Sequence, residues 1–218
     1  MKKNQVNLLG LQKEKYFQLL EWVLLQGDWR LSANFLKTCP KIQEWHLYLI
    51  QHLDPTHASN IAELLARNTE IPVNEATNKM KIKPDHIYII PPSWNMTINN
   101  RTLLLIEPHE RPGISHNIDL FFSSMANDLG DNSIVIILSG TGTDGTEGAR
   151  TVKAKRGVVL AEDPDTAKYD GMPDSVISKG IADFVQPVEE LPGELINYVK
   201  KYFGKKYIEK VDKKRLTH

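Results

Sequence analysis

Residues 133–145, SIVIILSGTGTDG, determine the fold that the sequence predicts. The run from Ile134 to Leu138 is apolar without a break and rich in β-branched residues, which is typical of a strand buried on both faces of a sheet. A glycine-rich loop follows, and residues 146–156 then have a helical pattern that Gly157 ends. This order of strand, loop and helix predicts one unit of a parallel α/β sheet.

The same alternation continues on both sides of this unit. The predicted helices cover 55–68, 115–129, 173–179 and 187–203, and the predicted strands cover 71–73, 86–90, 133–138, 158–161 and 182–185. Ser115 is the expected N-cap of the helix that Gly130 ends, and Asn99-Asn100 predicts a tight hairpin. The predicted fold class is therefore α/β, a doubly wound and mostly parallel sheet of the Rossmann type.

Composition limits the function classes. A chain of 218 residues with 41% hydrophobic residues is long enough for one α/β domain, alone or with an incomplete neighbour. Lys+Arg and Asp+Glu both number 27, so no overall charge favours nucleic acid or an anionic membrane. One cysteine, no signal peptide and no apolar run of membrane-spanning length predict a cytoplasmic protein without membrane insertion.

His52 is the first candidate site residue. It follows an apolar run and precedes Asp54-Pro55 and a predicted helix, so we expect it at the carboxyl end of a strand. Open α/β sheets place their sites at that edge, and an imidazole there is suited to act as a general base near neutral pH. A surface position or a helix start is the alternative for a lone histidine.

Asp144 is the second candidate site residue. It lies in the glycine-rich loop after a buried strand, where its carboxylate can approach an imidazole and fix the tautomer, as the third member of a triad does. Aspartate is also common in glycine-rich turns for conformational reasons alone. Both interpretations are open at this point.

The same loop has a competing interpretation as a dinucleotide site. Gly140, Gly142 and Gly145 satisfy G-x-G-x-x-G between a strand and a helix, and Glu162-Asp163 lies near the offset of a ribose-binding acid. Against a cofactor, Asp144 would place a negative charge in the loop that has to wrap a pyrophosphate. No cofactor is predicted, and the histidines lack the i, i+4 or cysteine pairing of a metal site.

Several motifs together resemble the catalytic domain of CheB-type protein-glutamate methylesterases, as found in methylesterase/methyltransferase fusion proteins. The resemblance covers about residues 50–191 in unbroken order. The motifs that carry it are 51–57, QHLDPTH; 61–67, IAELLAR; 88–92, YIIPP; 139–145, SGTGTDG; and 169–173, YDGMP.

The resemblance implies a doubly wound α/β sheet on which a serine, a histidine and an aspartate hydrolyse glutamyl methyl esters of chemoreceptors. By motif, His52 resembles the base and Asp144 the acid that orients it. The backbone of Thr141 and Gly142 is implied to help form the oxyanion pocket. The implied partners are methyl-accepting chemoreceptor proteins.

The serine of this family is missing where the resemblance requires it. The nucleophile lies in a Gly-Ala-Ser-Ala-Gly-Gly turn, and its slot, counted back from His52, falls at about Leu25. Ser32 is the nearest serine, but it lacks flanking glycines. Ser123, Ser124 and Ser139 lie in a helix or at a strand end, where we expect structural roles.

The genetic code suggests a reason for the missing serine. In the frame that joins the third base of each codon to the first two bases of the next, Trp22-Val23 must encode glycine, Asp28-Trp29 leucine and Trp45-His46 alanine. With permitted synonymous codons the segment from Leu19 reads Ile-Val-Gly-Met-Gly-Ala-Ser-Ala-Gly-Gly-Leu-Glu-Ala, which resembles the absent turn. Three of the four tryptophans and the only cysteine also lie before residue 50.

We therefore predict an aberrant, out-of-frame segment at 1–49, whose first strand and helix are non-native. A CheB-type methylesterase domain at 50–192 and a C-terminal helix with a basic tail or linker at 193–218 follow. The predicted function is protein-glutamate methylesterase by lineage, nearly inactive as written because the loss of a triad nucleophile costs on the order of 10⁶ in turnover. A dinucleotide-binding oxidoreductase and a non-catalytic interaction remnant are the alternatives.

Overall fold

The computed structural model describes residues 18–23, 35–36, 45–50, 61–107 and 116–203. Within them, seven parallel strands form one sheet in the order β10-β9-β8-β1-β2-β5-β3, and a second sheet has the order β4-β7-β6. The strands are β1 Gln18–Val23, β2 Trp45–Ile50, β3 Val73–Glu75, β4 Met80–Lys81, β5 His86–Ile89, β6 Asn95–Asn99, β7 Thr102–Ile106, β8 Ser133–Ile137, β9 Val158–Glu162 and β10 Phe184–Gln186.

Helices cover both faces of the large sheet, as the predicted doubly wound fold requires. They are α1 Ile61–Ala66, α2 Asn117–Leu129, α3 Thr146–Ala154, α4 Gly171–Ser178 and α5 Leu191–Phe203. Buried residues of α2, α3 and α4 pack on one face and those of α1 and α5 on the other. Among the residues described, no helix has both the length and the apolar character that a bilayer crossing requires.

Strand β8 shows why the apolar run predicted this architecture. All five of its residues are buried. Val135 and Ile137 contribute to the core beneath α2 and α3, whereas Ile134 and Ile136 contribute to the opposite core beneath α5. Side chains alternate between the two faces of a strand, so a strand covered on both faces needs apolar residues at every position.

The predicted hairpin is present and is attached to α2. Asn99 pairs with Thr102, and both central residues have positive φ, 47° at Asn100 and 56° at Arg101, as a tight turn of this kind needs. The carboxylate of Asp128 accepts the N–H groups of Asn100 at 2.7 Å and of Arg101 at 3.1 Å. The hairpin is therefore held to the helix by side-chain bonds to its backbone.

The start of α2 differs from the prediction. The helix begins at Asn117, and its N-cap position is His116, whose side chain makes no capping bond. Ser115, the expected cap, lies outside the described residues. The first N–H groups of α2 are satisfied instead by Asp144, a residue distant in sequence, which local patterns do not reveal. Gly130 ends α2 with φ of +61°, as predicted.

Two described strands contain residues of the segment 1–49. β1 lies at the centre of the sheet between β2 and β8, with Val23 in register with both Ile50 and Ile137. Residues of the segment 1–49 therefore take part in the large sheet. The reading frame of the gene is a separate question, and the out-of-frame segment stays a prediction.

The predicted C-terminal boundary at 192 falls within α5. Leu191, Leu195 and Val199 of this helix are buried against the sheet, in the same core as β8. The helix therefore packs as part of the α/β unit. The basic tail after Phe203 lies outside the described residues.

Candidate functional site

The order of the strands defines where a site can form. From β1 the chain proceeds to β2 on one side, and it later returns to β8 on the other side. Such a reversal is a topological switch point, and open α/β sheets bind ligands at the carboxyl ends of the strands there. The loop 139–145 leaves the carboxyl end of β8 at this point.

Asp144 is held in the loop by backbone N–H groups. Its carboxylate accepts the N–H of Ile118 at 3.2 Å and of Asp119 at 3.0 Å, both in the first turn of α2. The N–H of Gly145 donates to it at 2.9 Å. Asp144 thus caps the N-terminus of α2, where free N–H groups and the helix dipole stabilise a negative charge.

Asp119 makes the reciprocal contact to α3. Its carboxylate accepts the N–H of Gly148, in the first turn of α3, at 2.7 Å. The two helices therefore begin side by side. Asp144, which precedes α3, caps α2, and Asp119, which belongs to α2, caps α3. Burial raises the pKa of Asp119, the Gly148 bond lowers it, and the nearby Asp144 carboxylate raises it again.

Two glycines allow the helix starts to come this close. A Cβ at Gly148 would lie 2.6 Å from the Cβ of Phe122 and 2.9 Å from the Cα of Asp119. A Cβ at Gly145 would lie 2.8 Å from the Cγ2 of Ile118, and this residue also has φ of +90°. The motif around Asp144 therefore contains glycine because α2 and α3 are in contact there.

The loop also presents free backbone donors. Thr141 and Gly142 are exposed, and within the described ranges no acceptor binds their N–H groups. Gly142 has φ of +83°, a conformation that suits glycine. Such N–H groups at the carboxyl edge of a sheet are suited to stabilise the negative oxygen of a tetrahedral intermediate.

The loop 167–172 supports the glycine loop from the other side. The N–H of Gly140 donates to the carbonyl of Tyr169 at 2.8 Å, and the N–H of Met172 donates to the carbonyl of Gly140 at 2.9 Å. A Cβ at Gly171 would lie 3.1 Å from the nitrogen of Gly142. The YDGMP and SGTGTDG motifs therefore form one structural unit.

Ser139 joins these loops to a buried carboxyl group. Its N–H donates to Glu162 at 2.7 Å, and its hydroxyl oxygen accepts the N–H of Tyr169 at 2.8 Å. Ser124 likewise accepts the N–H of Ile98 at 3.1 Å and donates to a carbonyl of its own helix. The structural contacts expected for these two serines are confirmed.

One group of potential metal ligands lies at the site. Ligand atoms of His116, Asp119 and Asp144 all lie within 4.8 Å of one another. The two carboxylates already accept four backbone N–H groups, and the adjoining helix N-termini disfavour a cation. The arrangement stabilises the protein's own carboxylates, so we do not assign a metal to it.

The geometry also opposes the dinucleotide alternative. A pyrophosphate would bind at the N-terminus of α3, but the carboxylate of Asp119 occupies the N–H of Gly148 there. Of the two acids near the ribose-binding offset, Glu162 is 1% exposed and accepts a backbone N–H. The glycine pattern therefore has a different cause, which is the contact between α2 and α3.

The predicted site residues are only partly within the described structure. Asp144, Thr141 and Gly142 lie together on the loop after β8. His52 and the Leu25 slot lie outside the described residues. Sequence reasoning missed Asp119 and considered Glu162 only as a ribose-binding acid. The one available signal for Asp119 was an acidic residue in the first turn of a predicted helix.

Comparison with known proteins agrees with this fold. A model of the CheB methylesterase family matches residues 26–195, a range that begins inside the segment 1–49. The crystal structure of the Thermotoga maritima CheB methylesterase catalytic domain is similar, with a TM-score of 0.76 and 29% identity, over 84% of this chain and 100% of that one.

Two curated relatives are similar to this chain in sequence. A Thermotoga maritima protein named protein-glutamate methylesterase/protein-glutamine glutaminase is 32% identical over 79% of this chain and 52% of its own length. An uncharacterised 104.1 kDa protein of Rhodobacter capsulatus is 40% identical over 64% of this chain and 14% of its own length. The chain spans about half the length or less of these relatives. The chain belongs to the CheB methylesterase family.

Proposed function

We propose that this domain is built to hydrolyse glutamyl methyl esters of chemoreceptors, and that the chain as translated is nearly inactive because its serine is missing. The names of the relatives add glutamine amides as a second substrate, since ester and amide hydrolysis share the same acyl chemistry. The partners are methyl-accepting chemoreceptor proteins, and the compartment is the cytoplasm.

The observation that carries this proposal is the order β2-β1-β8 at the centre of the sheet. His52 follows the end of β2 by two residues, the Leu25 slot follows the end of β1 by two, and the loop with Asp144 follows β8. Adjacent parallel strands lie about 5 Å apart, so the segments that follow these three strands begin side by side at one edge of the sheet.

The chemistry needs only groups of this chain and a serine in the Leu25 slot. The serine oxygen attacks the ester carbonyl carbon while His52 takes the hydroxyl proton. The tetrahedral oxyanion is stabilised by the N–H groups of Thr141 and Gly142, and methanol leaves with the proton from His52. Water then hydrolyses the acyl-enzyme by the same route, which releases glutamate and restores the serine.

Asp144 suits the orienting role because its own position is fixed. Three backbone N–H groups bind its carboxylate. A carboxylate has about four lone-pair sites, so an imidazole N–H can be accommodated in addition. The bound carboxylate would then hold His52 in the tautomer that accepts the serine proton.

The decisive experiment compares this chain with one translated from the same gene after the frame is restored through residue 49. The substrate is a receptor peptide with a glutamyl methyl ester, and released methanol is measured. We expect the restored chain to exceed this chain by about 10⁶, the usual effect of a triad nucleophile.

Controls separate the possible causes. His52→Gln and Asp144→Asn in the restored chain should each reduce turnover strongly, whereas Ser32→Ala in the present chain should change nothing. Equal and high activity of the two chains would refute the proposed loss of the nucleophile. Codons that cannot encode Gly-Ala-Ser-Ala-Gly-Gly in the shifted frame would refute its genetic cause.

A further inference from the structure

Glu162 is a buried acid that the proposed reaction does not use. It is the last residue of β9 and is 1% exposed. Among the residues whose burial the structure describes, it is the one carboxylic acid in the buried core. A buried carboxyl group is costly unless a specific contact compensates for it, so its contacts indicate its role.

The first contact is to the start of the glycine loop. The N–H of Ser139 donates to Oε2 of Glu162 at 2.7 Å. Ser139 is 5% exposed, so without Glu162 this N–H would be buried and unsatisfied. Glu162 therefore fixes the point at which the chain leaves β8 and enters the loop.

The contact continues into the second loop. The hydroxyl oxygen of Ser139 accepts the N–H of Tyr169 at 2.8 Å, and the carbonyl of Tyr169 accepts the N–H of Gly140, also at 2.8 Å. Glu162, Ser139, Tyr169 and Gly140 thus form one chain of hydrogen bonds between the two loops. We call these four residues the loop clamp.

Within the described part of the chain, the charged groups that shift the pKa of Glu162 are acidic. Burial raises the pKa of Glu162, the bond from Ser139 lowers it, and Glu189 and Asp163 raise it further. In these surroundings a neutral amide of the same shape can supply the same acceptor oxygen. Glutamine is therefore the conservative replacement that separates hydrogen bonding from charge.

We infer that Glu162 is a positioning residue of the site. Through the loop clamp it fixes the loop that carries Asp144 and the free N–H groups of Thr141 and Gly142. This inference rests on the proposed function for its catalytic meaning, because Asp144 is taken there to orient His52. The hydrogen bonds of the clamp are independent of that assumption.

The test uses the full chain and two readouts. Glu162→Leu removes the acceptor of the Ser139 N–H, and Glu162→Gln does not. If that bond fixes the loop clamp, amide hydrogen exchange at Gly140 and Tyr169 should be about tenfold faster in Glu162→Leu and unchanged in Glu162→Gln. Amides of α5 serve as the internal reference and should be unaffected.

The second readout is the NMR titration of His52, assigned with a His52→Gln variant. If Asp144 orients His52, the imidazole pKa lies above its ordinary value of about 6.5 in the parent chain. Glu162→Leu should return that pKa toward the ordinary value, and Glu162→Gln should not. A purely structural role would leave the titration unchanged in both variants.

The outcomes are distinguishable. Unchanged exchange of Gly140 and Tyr169 in Glu162→Leu would overturn the inference. If Glu162→Leu loses protection throughout the chain, Glu162→Asp, whose shorter side chain withdraws the carboxylate, takes its place with the same expectations. A His52 titration that Asp144→Asn does not affect would contradict the proposed function, while the exchange result would still decide the role of Glu162.

Discussion

Strands β1 and β8 are neighbours at the centre of the same sheet, but their sequences differ in kind. β8 reads SIVII, and every residue is buried. β1 reads QLLEWV, and Glu21 is in register with Val135 on one side and Tyr48 on the other. Both of these partners are fully buried in the core beneath α2.

A central position in the sheet restricts the residues that a strand can contain. A parallel strand with helices on both faces has no solvated side, so a charged residue in its middle conflicts with its surroundings. β8 meets that restriction, whereas the sequence of β1 contains a glutamate. With permitted synonymous codons, the shifted frame of the same segment can encode Ile-Val-Gly before the serine turn, without a charge, which agrees with the proposed frame change.

The largest effect is expected from placing a glutamate in β8 and, conversely, a valine in β1. Val135→Glu should lower the free energy of unfolding by about 4 kcal/mol or more, because it places a carboxylate in an apolar core. Glu21→Val should instead leave that free energy unchanged or raise it. Urea unfolding of both variants and the parent chain measures the two effects.

The result for Glu21→Val can contradict the contrast between β1 and β8. A clear loss of stability in Glu21→Val would mean that glutamate is required at this position of β1. The proposal that β1 has the wrong sequence for its place would then be wrong. A loss in Val135→Glu alone agrees with it.

The sequence predicted the helices, strands and turns that are determined by residues close to one another in the chain. The apolar run of β8, the hairpin at Asn100 and the end of α2 at Gly130 depend on neighbouring residues, and all three are confirmed. β4 was missed because a strand of two residues, Met80–Lys81, has no periodicity to detect. The edge strand β10 begins at Phe184, two residues later than predicted.

The position of Asp144 after a buried strand left an ordinary turn residue as an alternative, and the family motifs favoured the site. Those motifs pointed to Asp144, but its partners Ile118 and Asp119 lie 26 and 25 residues away in sequence. The link from Glu162 to Ser139 spans 23 residues. Contacts of this kind form only after the sheet has brought two loops together, so no local pattern contains them.

The second prediction concerns Asp144, in the loop that follows β8, and its contacts to the start of α2. Asp144→Ala leaves the N–H groups of Ile118 and Asp119 without their cap, and we expect a loss of about 2 kcal/mol in the free energy of unfolding. Asp144→Asn, which retains one acceptor oxygen, should lose less. Equal stability of all three chains would contradict the capping role.

The third prediction concerns the close contact between α2 and α3. Gly148→Ala forces a Cβ into Phe122 and Asp119, and such overpacking should cost about 1–2 kcal/mol. Gly193→Ala in α5 is the matched control, since no atom lies within 4 Å of its Cβ. The control should gain up to about 1 kcal/mol from helix propensity. Thermal unfolding of both variants distinguishes them, and similar shifts would refute the close contact.

The smallest effect concerns Glu162, which lies at the end of β9 and accepts a backbone N–H. Its pKa is raised from 4.5, so the folded state disfavours its ionised form. Its contribution to stability is therefore complete below pH 4.5 and is lost as the pH rises through the raised pKa. Glu162→Gln removes this loss. We expect the variant to match the parent chain in acid and to exceed it in stability at neutral pH, as measured by urea unfolding across that range. A difference between the two chains that does not vary with pH would show that burial does not penalise this carboxylate.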